Sequence, residues 1–416
     1  MRRLHADRRG FIRQSRRGPA VVKQRFGPAA HVTRLRTLFG RPRRSAAASV
    51  PRRKRRILFV TSNGVGIGHL TRMLAVARRC PQPLEPVFLT FSQAIKIVRE
   101  QRFLAEYLPF HGLLDCDVQH WNRCLREEVG ELIGFYDPPV LVFDGNVPYQ
   151  GLIDALRDHP DVWSVWCRRG MWQPGRGKDV IARERDFDAV VEPRDLAGRF
   201  DRGLTVESRS RTRLVDPIRL LDEDDLLSRT QARKALGIGP TRAAVLLQLG
   251  AGNNYDYGAL RRSAIALLKE RYDADVSMAE WPIAVQPLKL PEGVRAIREY
   301  PLSRYARAFD LVISAAGYNS FHELLLAGVP TIFVPNEHPQ QDDQLARARF
   351  VEHHGLGACV RVRDVYRLSA AIDRLLAPGE RRRIARRCAR LEHGNGALEL
   401  AGLIEEMAYS RKVDRP

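Results

Sequence analysis

Residues Phe309 to Gln344 read FDLVISAAGYNSFHELLLAGVPTIFVPNEHPQQDDQ, and this stretch restricts the fold more than any other part of the chain. Leu311 to Ser314 is a short apolar run suited to a strand buried on both faces, and it leads directly into the small residues Ala315, Ala316 and Gly317. The spacing from Tyr318 to Ala327 predicts a helix, closed by Gly328 just past its end and by Pro330 beyond it. Thr331 to Val334 predicts a second buried strand. A strand, a small-residue turn and a helix N-terminus aim unpaired backbone N–H groups at one point, and the helix dipole adds partial positive charge there. The segment therefore predicts an anion site. Glu323 follows Tyr318 by five residues, which places it roughly 7 to 8 Å along the helix axis, within reach of a ribose beside a bound pyrophosphate. On this reading Glu323 faces solvent.

The same order of elements recurs through the rest of the chain. Ile57 to Thr61 predicts a buried strand, followed by glycines at 64, 66 and 68 and by a helix from about His69 to Arg79. The spacing is GxGxG rather than GxGxxG, and the next predicted strand, Pro86 to Thr90, ends without an acid, which argues against a nicotinamide cofactor. Further strands are expected at the run ending in Asp144, at Val162 to Cys167, at Ala189 to Val191 and near Leu214. Ligands of open parallel sheets gather at the carboxyl ends of strands, so Asp144, Arg168 and Arg169 are expected to face the same cleft as His69. A second unit begins with the strand AAVLLQL, a glycine loop at residues 250–254 and a helix to Glu270. The acids Asp222 to Asp225 precede an amphipathic helix, where negative charge complements the dipole, so they are not read as metal ligands.

Charge and cysteine content exclude several classes. The chain holds 69 Lys and Arg against 48 Asp and Glu, but 19 of the basic residues and one acid, Asp7, lie in residues 1–56. That leaves 50 against 47 elsewhere, so a nucleic-acid role is disfavoured and the excess belongs to an N-terminal segment expected to be disordered. Its candidate roles are a solvated extension, a patch for an anionic membrane surface, or translated sequence upstream of the true start; the use of 61 Arg and 8 Lys fits G+C-rich coding and hence the last of these. The six cysteines form no CxxC pair and no cluster with metal-ligand spacing, which fits reduced thiols in a cytoplasm. No apolar run reaches the roughly 20 residues that span a bilayer. GxSxG and HExxH are both absent, so neither a triad hydrolase nor a zincin is expected.

The small-residue turn, Glu323, AGVP, TIFVP and the pair Asp343-Gln344 together resemble the sugar-donor block of nucleotide-sugar glycosyltransferases of the GT-B fold, and in particular glycosyltransferase family 28. The resemblance covers most of residues 57 to 410, more strongly in the second half. It implies an α/β architecture of two Rossmann-like domains facing across a cleft: a tail at 1–56, an acceptor domain at 57–218, a donor domain at 219–395, and a last helix within 396–416 returning to the first domain. It also implies an inverting, metal-independent transfer of a hexose-type sugar from a nucleoside diphosphate, uridine by preference, to an acceptor whose identity is open, in the cytoplasm or on the inner face of the membrane. No cofactor beyond the donor substrate is implied. Gly317, Tyr318 and Asn319 with Gly250, Gly252 and Asn253 would hold the diphosphate by backbone amides; Asn253 and Asn254 replace the hydroxyl residues usual in that loop. Glu323 would bind the ribose, and Asp343 and Gln344 the sugar. His69 would be the base or orient the acceptor, with Asp144 as its partner and Gly66, Gly68, Arg168 and Arg169 on the acceptor or phosphate side. Two other readings are a nucleotide-sugar 2-epimerase of the same fold and a non-catalytic protein recruited through its arginine-rich tail.

Overall fold

Strand order follows from where the apolar runs fall and from the helices between them. The computed structural model describes residues 54–62, 67–250, 255–280, 290–339, 342–391 and 394–410. The expected disorder of the basic tail falls almost wholly on residues outside this set, as do Gly66, Gly252 and Asn253. The first sheet holds seven strands: β1 (Arg55–Thr61), β2 (Leu84–Thr90), β3 (Leu104–Tyr107), β4 (Val140–Asp144), β5 (Trp163–Cys167), β6 (Ala189–Pro193) and β7 (Arg213–Val215), in the order β3-β2-β1-β4-β5-β6-β7. The second holds β8 (Ala244–Gln248), β9 (Asp275–Ala279), β10 (Arg295–Ile297), β11 (Leu311–Ala315), β12 (Thr331–Val334) and β13 (Ala358–Cys359), in the order β10-β9-β8-β11-β12-β13. Every pairing is parallel. The β3, β9 and β10 strands lack a strong apolar run and were not expected from the sequence; each is short or lies toward a sheet edge, where pairing rather than hydrophobic pattern selects the strand.

Both sheets are covered on two faces, which explains why the central strands are continuously apolar. In β1 the side chains alternate between layers. Ile57 and Phe59 pack with Leu70, Met73 and Leu74 of the helix Gly68–Ala77 and with Leu400, Leu403 and Ile404 of the C-terminal helix Gly396–Tyr409. Leu58 and Val60 pack with Trp121, Leu125, Val129 and Leu132 of the helix Val118–Tyr136. Among the described residues no helix is long and apolar enough to cross a membrane.

The C-terminal helix crosses back to the first sheet. Asn395 caps it, its amide also donates to the Arg219 carbonyl at 3.0 Å, and Glu399 accepts from the Asp216 backbone N–H at 2.7 Å. Gly396 donates to the Pro217 carbonyl at 3.2 Å, and a Cβ there would lie 1.9 Å from the Asp216 carbonyl oxygen.

The two sheets' layers also meet through buried charge. Arg347, with no exposure, binds Asp195 at 2.7 Å and Asp342; Asp342 also accepts from Arg169 at 3.2 Å. Nearby, His322 donates from Nδ1 to the Tyr318 carbonyl at 2.8 Å and accepts the Leu196 N–H at Nε2 at 3.2 Å, which fixes its neutral tautomer. Burial lowers the His322 pKa to about 4 even though Asp195 lies beside it.

Two expectations follow. Gly396→Ala forces a backbone shift at this docking point and should cost about 1–3 kcal/mol, read as a lowered thermal midpoint. The folded chain keeps His322 neutral where the unfolded chain takes up a proton, so stability is lost as pH falls from about 6.5 toward 4, by about 3 kcal/mol in full from this group. His322→Gln should be less stable at neutral pH and should show a shallower acid decline than the parent in urea titrations at pH 7 and about pH 4.5; an identical decline would remove His322 from this account.

Candidate active site

Each sheet turns its winding direction between its first strand and the neighbour on the other side, β1 beside β4 and β8 beside β11. The helices that follow β1 and β11 start at those points, and the loop after β8 opens there too. On the first sheet, Thr61 and Asp144 are in register at the carboxyl ends of β1 and β4. The chain re-enters at Gly68, and His69, the second residue of its helix, reaches back over the end of β4. His69 Nδ1 lies 2.5 Å from Asp144 Oδ1.

Arg72, one turn beyond His69, completes this cluster. Its Nε donates to Asp144 Oδ2 at 2.9 Å and its Nη2 to Oδ1 at 2.5 Å. Nη2 also sits 2.9 Å from His69 Nδ1, but two N–H donors facing one carboxylate oxygen both bond to that oxygen, which assigns the Nδ1–H tautomer and makes Nε2 the acceptor nitrogen of the ring. Burial is the main reason that the His69 pKa falls to about 4; Asp144 opposes the shift, while Arg72 and Arg169 add to it. Asp144 is fully buried, and the opposing pull of Arg72 and His69 outweighs that burial and keeps its carboxyl below the usual range. The imidazole is therefore neutral at pH 7. Sequence reading missed Arg72, whose only signal was its place three residues after His69 on a helix.

On the second sheet, Gly317 caps the helix Tyr318–Ala327 with extended backbone (φ −65°, ψ 151°) and without a side-chain hydrogen bond. A Cβ at Gly317 would meet nothing within 4 Å among the described residues, which leave the space before the first helical N–H groups open. Gly250, two residues after β8, has φ +82°, and a Cβ there would meet nothing within 4 Å among the described residues. Gln248 and Ser314 at the ends of β8 and β11 join at 3.1 Å. Asn319 crosses to the first sheet's side and donates through Nδ2 to the Gly68 carbonyl at 3.2 Å; its Oδ1 is buried without a hydrogen-bond partner among the described residues. Thus the helix that carries His69 and the helix Tyr318–Ala327 are in direct contact.

Several expected residues are placed differently. The Tyr318 ring is buried and its hydroxyl is engaged, so a ligand meets only its backbone. Glu323 is half-buried rather than solvent-facing: it sits beside Ser303 and near Arg219, and burial raises its pKa to about 7. Asp343 caps the helix Gln344–His353, accepting from the Ala346 N–H at 3.0 Å, and its own N–H donates to the Met171 carbonyl at 2.6 Å. Gln344 accepts the Asn336 N–H at 3.1 Å. Asp343 Oδ1 and Gln344 Oε1 are thus both engaged by backbone N–H groups.

Arg168 and Arg169 separate because neighbouring residues leave a strand on opposite sides. Arg168 is wholly buried against Glu192 at 2.8 Å and against Glu184, so the expectation that it faces the cleft is corrected. Arg169 turns the other way, to Asn146 at 2.9 Å and Asp342 at 3.2 Å. Asp342 and Arg347 were the other charged groups that sequence reading missed.

Comparison with known proteins agrees with this geometry. Residues 299–399 match the glycosyltransferase family 28 C-terminal domain, a span that includes the helix Tyr318–Ala327, Glu323 and Asp343-Gln344. A 278-residue stretch is 29% identical to the UDP-N-acetylglucosamine--N-acetylmuramyl-(pentapeptide) pyrophosphoryl-undecaprenol N-acetylglucosamine transferase of Paracidovorax citrulli, covering 62% of this chain and 76% of that protein. The fold matches MurG of Acinetobacter baumannii with a TM-score of 0.55 at 14% identity, over 84% of this chain and 99% of that one. It also matches the UDP-GlcNAc 2-epimerase of Neisseria meningitidis with a TM-score of 0.59 at 12% identity, over 84% and 98%. Likeness at such identity speaks to the fold, which transferase and epimerase share; the sequence matches separate the two. The chain is a family 28-like glycosyltransferase of the GT-B fold.

Proposed function

We propose that the chain transfers a hexose-type sugar, with inversion, from a nucleoside diphosphate, uridine by preference, to a hydroxyl of a lipid-linked or small-molecule acceptor. The observation that supports this reading is the bond between Asn319 and the Gly68 carbonyl, which brings the N-terminus of the helix Tyr318–Ala327 close to a neutral histidine held by a buried carboxylate. In the reaction, His69 Nε2 takes the acceptor hydroxyl proton as the oxygen forms its bond to the anomeric carbon. The bond from that carbon to the diphosphate oxygen breaks, and the electron pair leaves with the diphosphate. Backbone N–H groups at Gly317 to Asn319 and the helix dipole stabilise the departing charge. Diphosphate bound there would also offset Arg72 and Arg169, two of the influences that hold the His69 pKa down, and so make the base stronger when the substrate is present.

Glu323 is assigned to the ribose hydroxyls, and Asp343 and Gln344 to the sugar. Because the leaving charge is met by amides and the helix dipole, no divalent ion is required. Contact of residues 1–56 with an anionic membrane belongs to the same reading.

Transfer should release nucleoside diphosphate only when acceptor is added; release or sugar isomerisation without acceptor would favour the epimerase. His69→Ala should lower turnover by roughly 10² to 10⁴ while donor affinity and melting temperature hold; normal turnover in a stable variant would exclude His69 as the base. Asp144→Asn should lower both turnover and melting temperature, because it leaves the Arg72 charge uncompensated in the interior. Glu323→Gln should weaken donor binding about tenfold by calorimetry, the scale of one hydrogen bond to a charged group, with activity unchanged by EDTA in the parent. Unchanged binding would reassign Glu323, and loss of activity restored by Mg²⁺ would overturn the metal-free reading.

A further inference from the structure

A helix opening at the anion site needs only a backbone N–H at its first position, yet that position holds a tyrosine that is 3% exposed and whose side chain meets four residues from other parts of the molecule. The Tyr318 hydroxyl accepts the Ile218 N–H at 3.0 Å and donates to the Arg194 carbonyl at 3.3 Å, two groups that follow strands of the first sheet. Its ring centroid lies 5.4 Å from the Arg72 guanidinium carbon and 5.7 Å from that of Arg347. Arg72 is the cation on Asp144 beside His69, and Arg347 joins Asp195 to Asp342 across the two layers. One aromatic ring thus faces both buried ion clusters, where the electron-rich π-system attracts guanidinium groups most strongly because water is excluded.

We propose that Tyr318 is a positioning residue for transfer, one that sets the distance between the diphosphate-binding helix and the His69–Asp144–Arg72 cluster. Its backbone belongs to the diphosphate site, its hydroxyl anchors that site to the first sheet's side, and its ring keeps Arg72 on Asp144. A change in the side chain therefore alters alignment while leaving the amides that hold the diphosphate. This inference rests on the proposed transfer reaction, and its link through Arg72 also rests on His69 as the base.

The test uses the full chain with Tyr318→Phe and Tyr318→Leu, measuring uridine diphosphate affinity by calorimetry, melting temperature, kcat, and kcat/KM against pH. Both variants should bind uridine diphosphate within about threefold of the parent, while kcat falls about tenfold in Tyr318→Phe and further in Tyr318→Leu, the scale expected for misplacement of reacting groups by less than 1 Å. Only Tyr318→Leu should move the acid limb of kcat/KM to higher pH, because Arg72 then no longer holds its charge beside the imidazole. Parental kcat in Tyr318→Phe overturns the proposal, as does a joint fall of kcat, affinity and melting temperature, which marks a purely structural residue. An unmoved acid limb in Tyr318→Leu overturns the link through Arg72. If Tyr318→Leu does not fold, the split between kcat and affinity in Tyr318→Phe decides. Full activity of His69→Ala would remove the base assignment separately, since the Tyr318→Phe result depends on alignment alone.

Discussion

Winding a parallel sheet in both directions from its centre forces two neighbouring strands to send their following helices to opposite faces, and a crevice opens between them. In this chain it happens twice, between β1 and β4 and between β8 and β11. The rest of the site depends on that constraint. The residues that leave the ends of these four strands are Asp144, the glycine loop before His69, Gly250 and Gly317, and they come from positions far apart in the chain. Contact between Asn319 and Gly68 then sets one crevice against the other.

Burial within the crevices has opposite effects on the two kinds of titratable group. A histidine removed from water loses its proton, so His69 and His322 both fall to about 4 and stand neutral, each held in one tautomer by a defined partner. Asp144 and Asp342 are just as buried but remain charged, because each faces a guanidinium at hydrogen-bond distance. At Glu323 burial outweighs the opposing pull of Ser303 and Arg219, and its carboxyl rises to about 7. The same desolvation thus yields neutral imidazoles, ionised carboxylates and a carboxyl poised near neutrality, according to the partner alone.

Buried ion pairs rarely add much net stability, since desolvation offsets the attraction, but they fix geometry and penalise misalignment. The chain from Asp195 through Arg347 and Asp342 to Arg169 has this character. It crosses from the first sheet's layers to the second's and back, so a shift of one relative to the other leaves charge unpaired in the interior. Tyr318 adds an aromatic link between these pairs and the cluster around His69. The alignment of the two half-sites is therefore carried by polar groups with strict distance requirements, whereas the layers themselves are held by non-directional apolar packing.

How much was legible in the sequence depended on the range of the physics involved. The β1, β4, β8, β11 and β12 strands, the helix closed by Gly328 and the C-terminal helix all follow from apolar runs and caps, which act over a few residues, and so does the helix start after Gly317. The family resemblance further put His69 beside Asp144. The edge strands β3 and β10, and β9 beside β10, were not legible, because they are chosen by an available partner rather than by their own side chains. The burial of Glu323, the divergence of Arg168 from Arg169 and the backbone partners of Asp343 and Gln344 were equally hidden. So were Arg72 and Arg347, which read as surface arginines in a chain with 61 of them. Local pattern determined the elements and the chemistry at their ends; only the tertiary structure decided which charges are buried together, because pairing of groups distant in sequence has no signature in either segment alone.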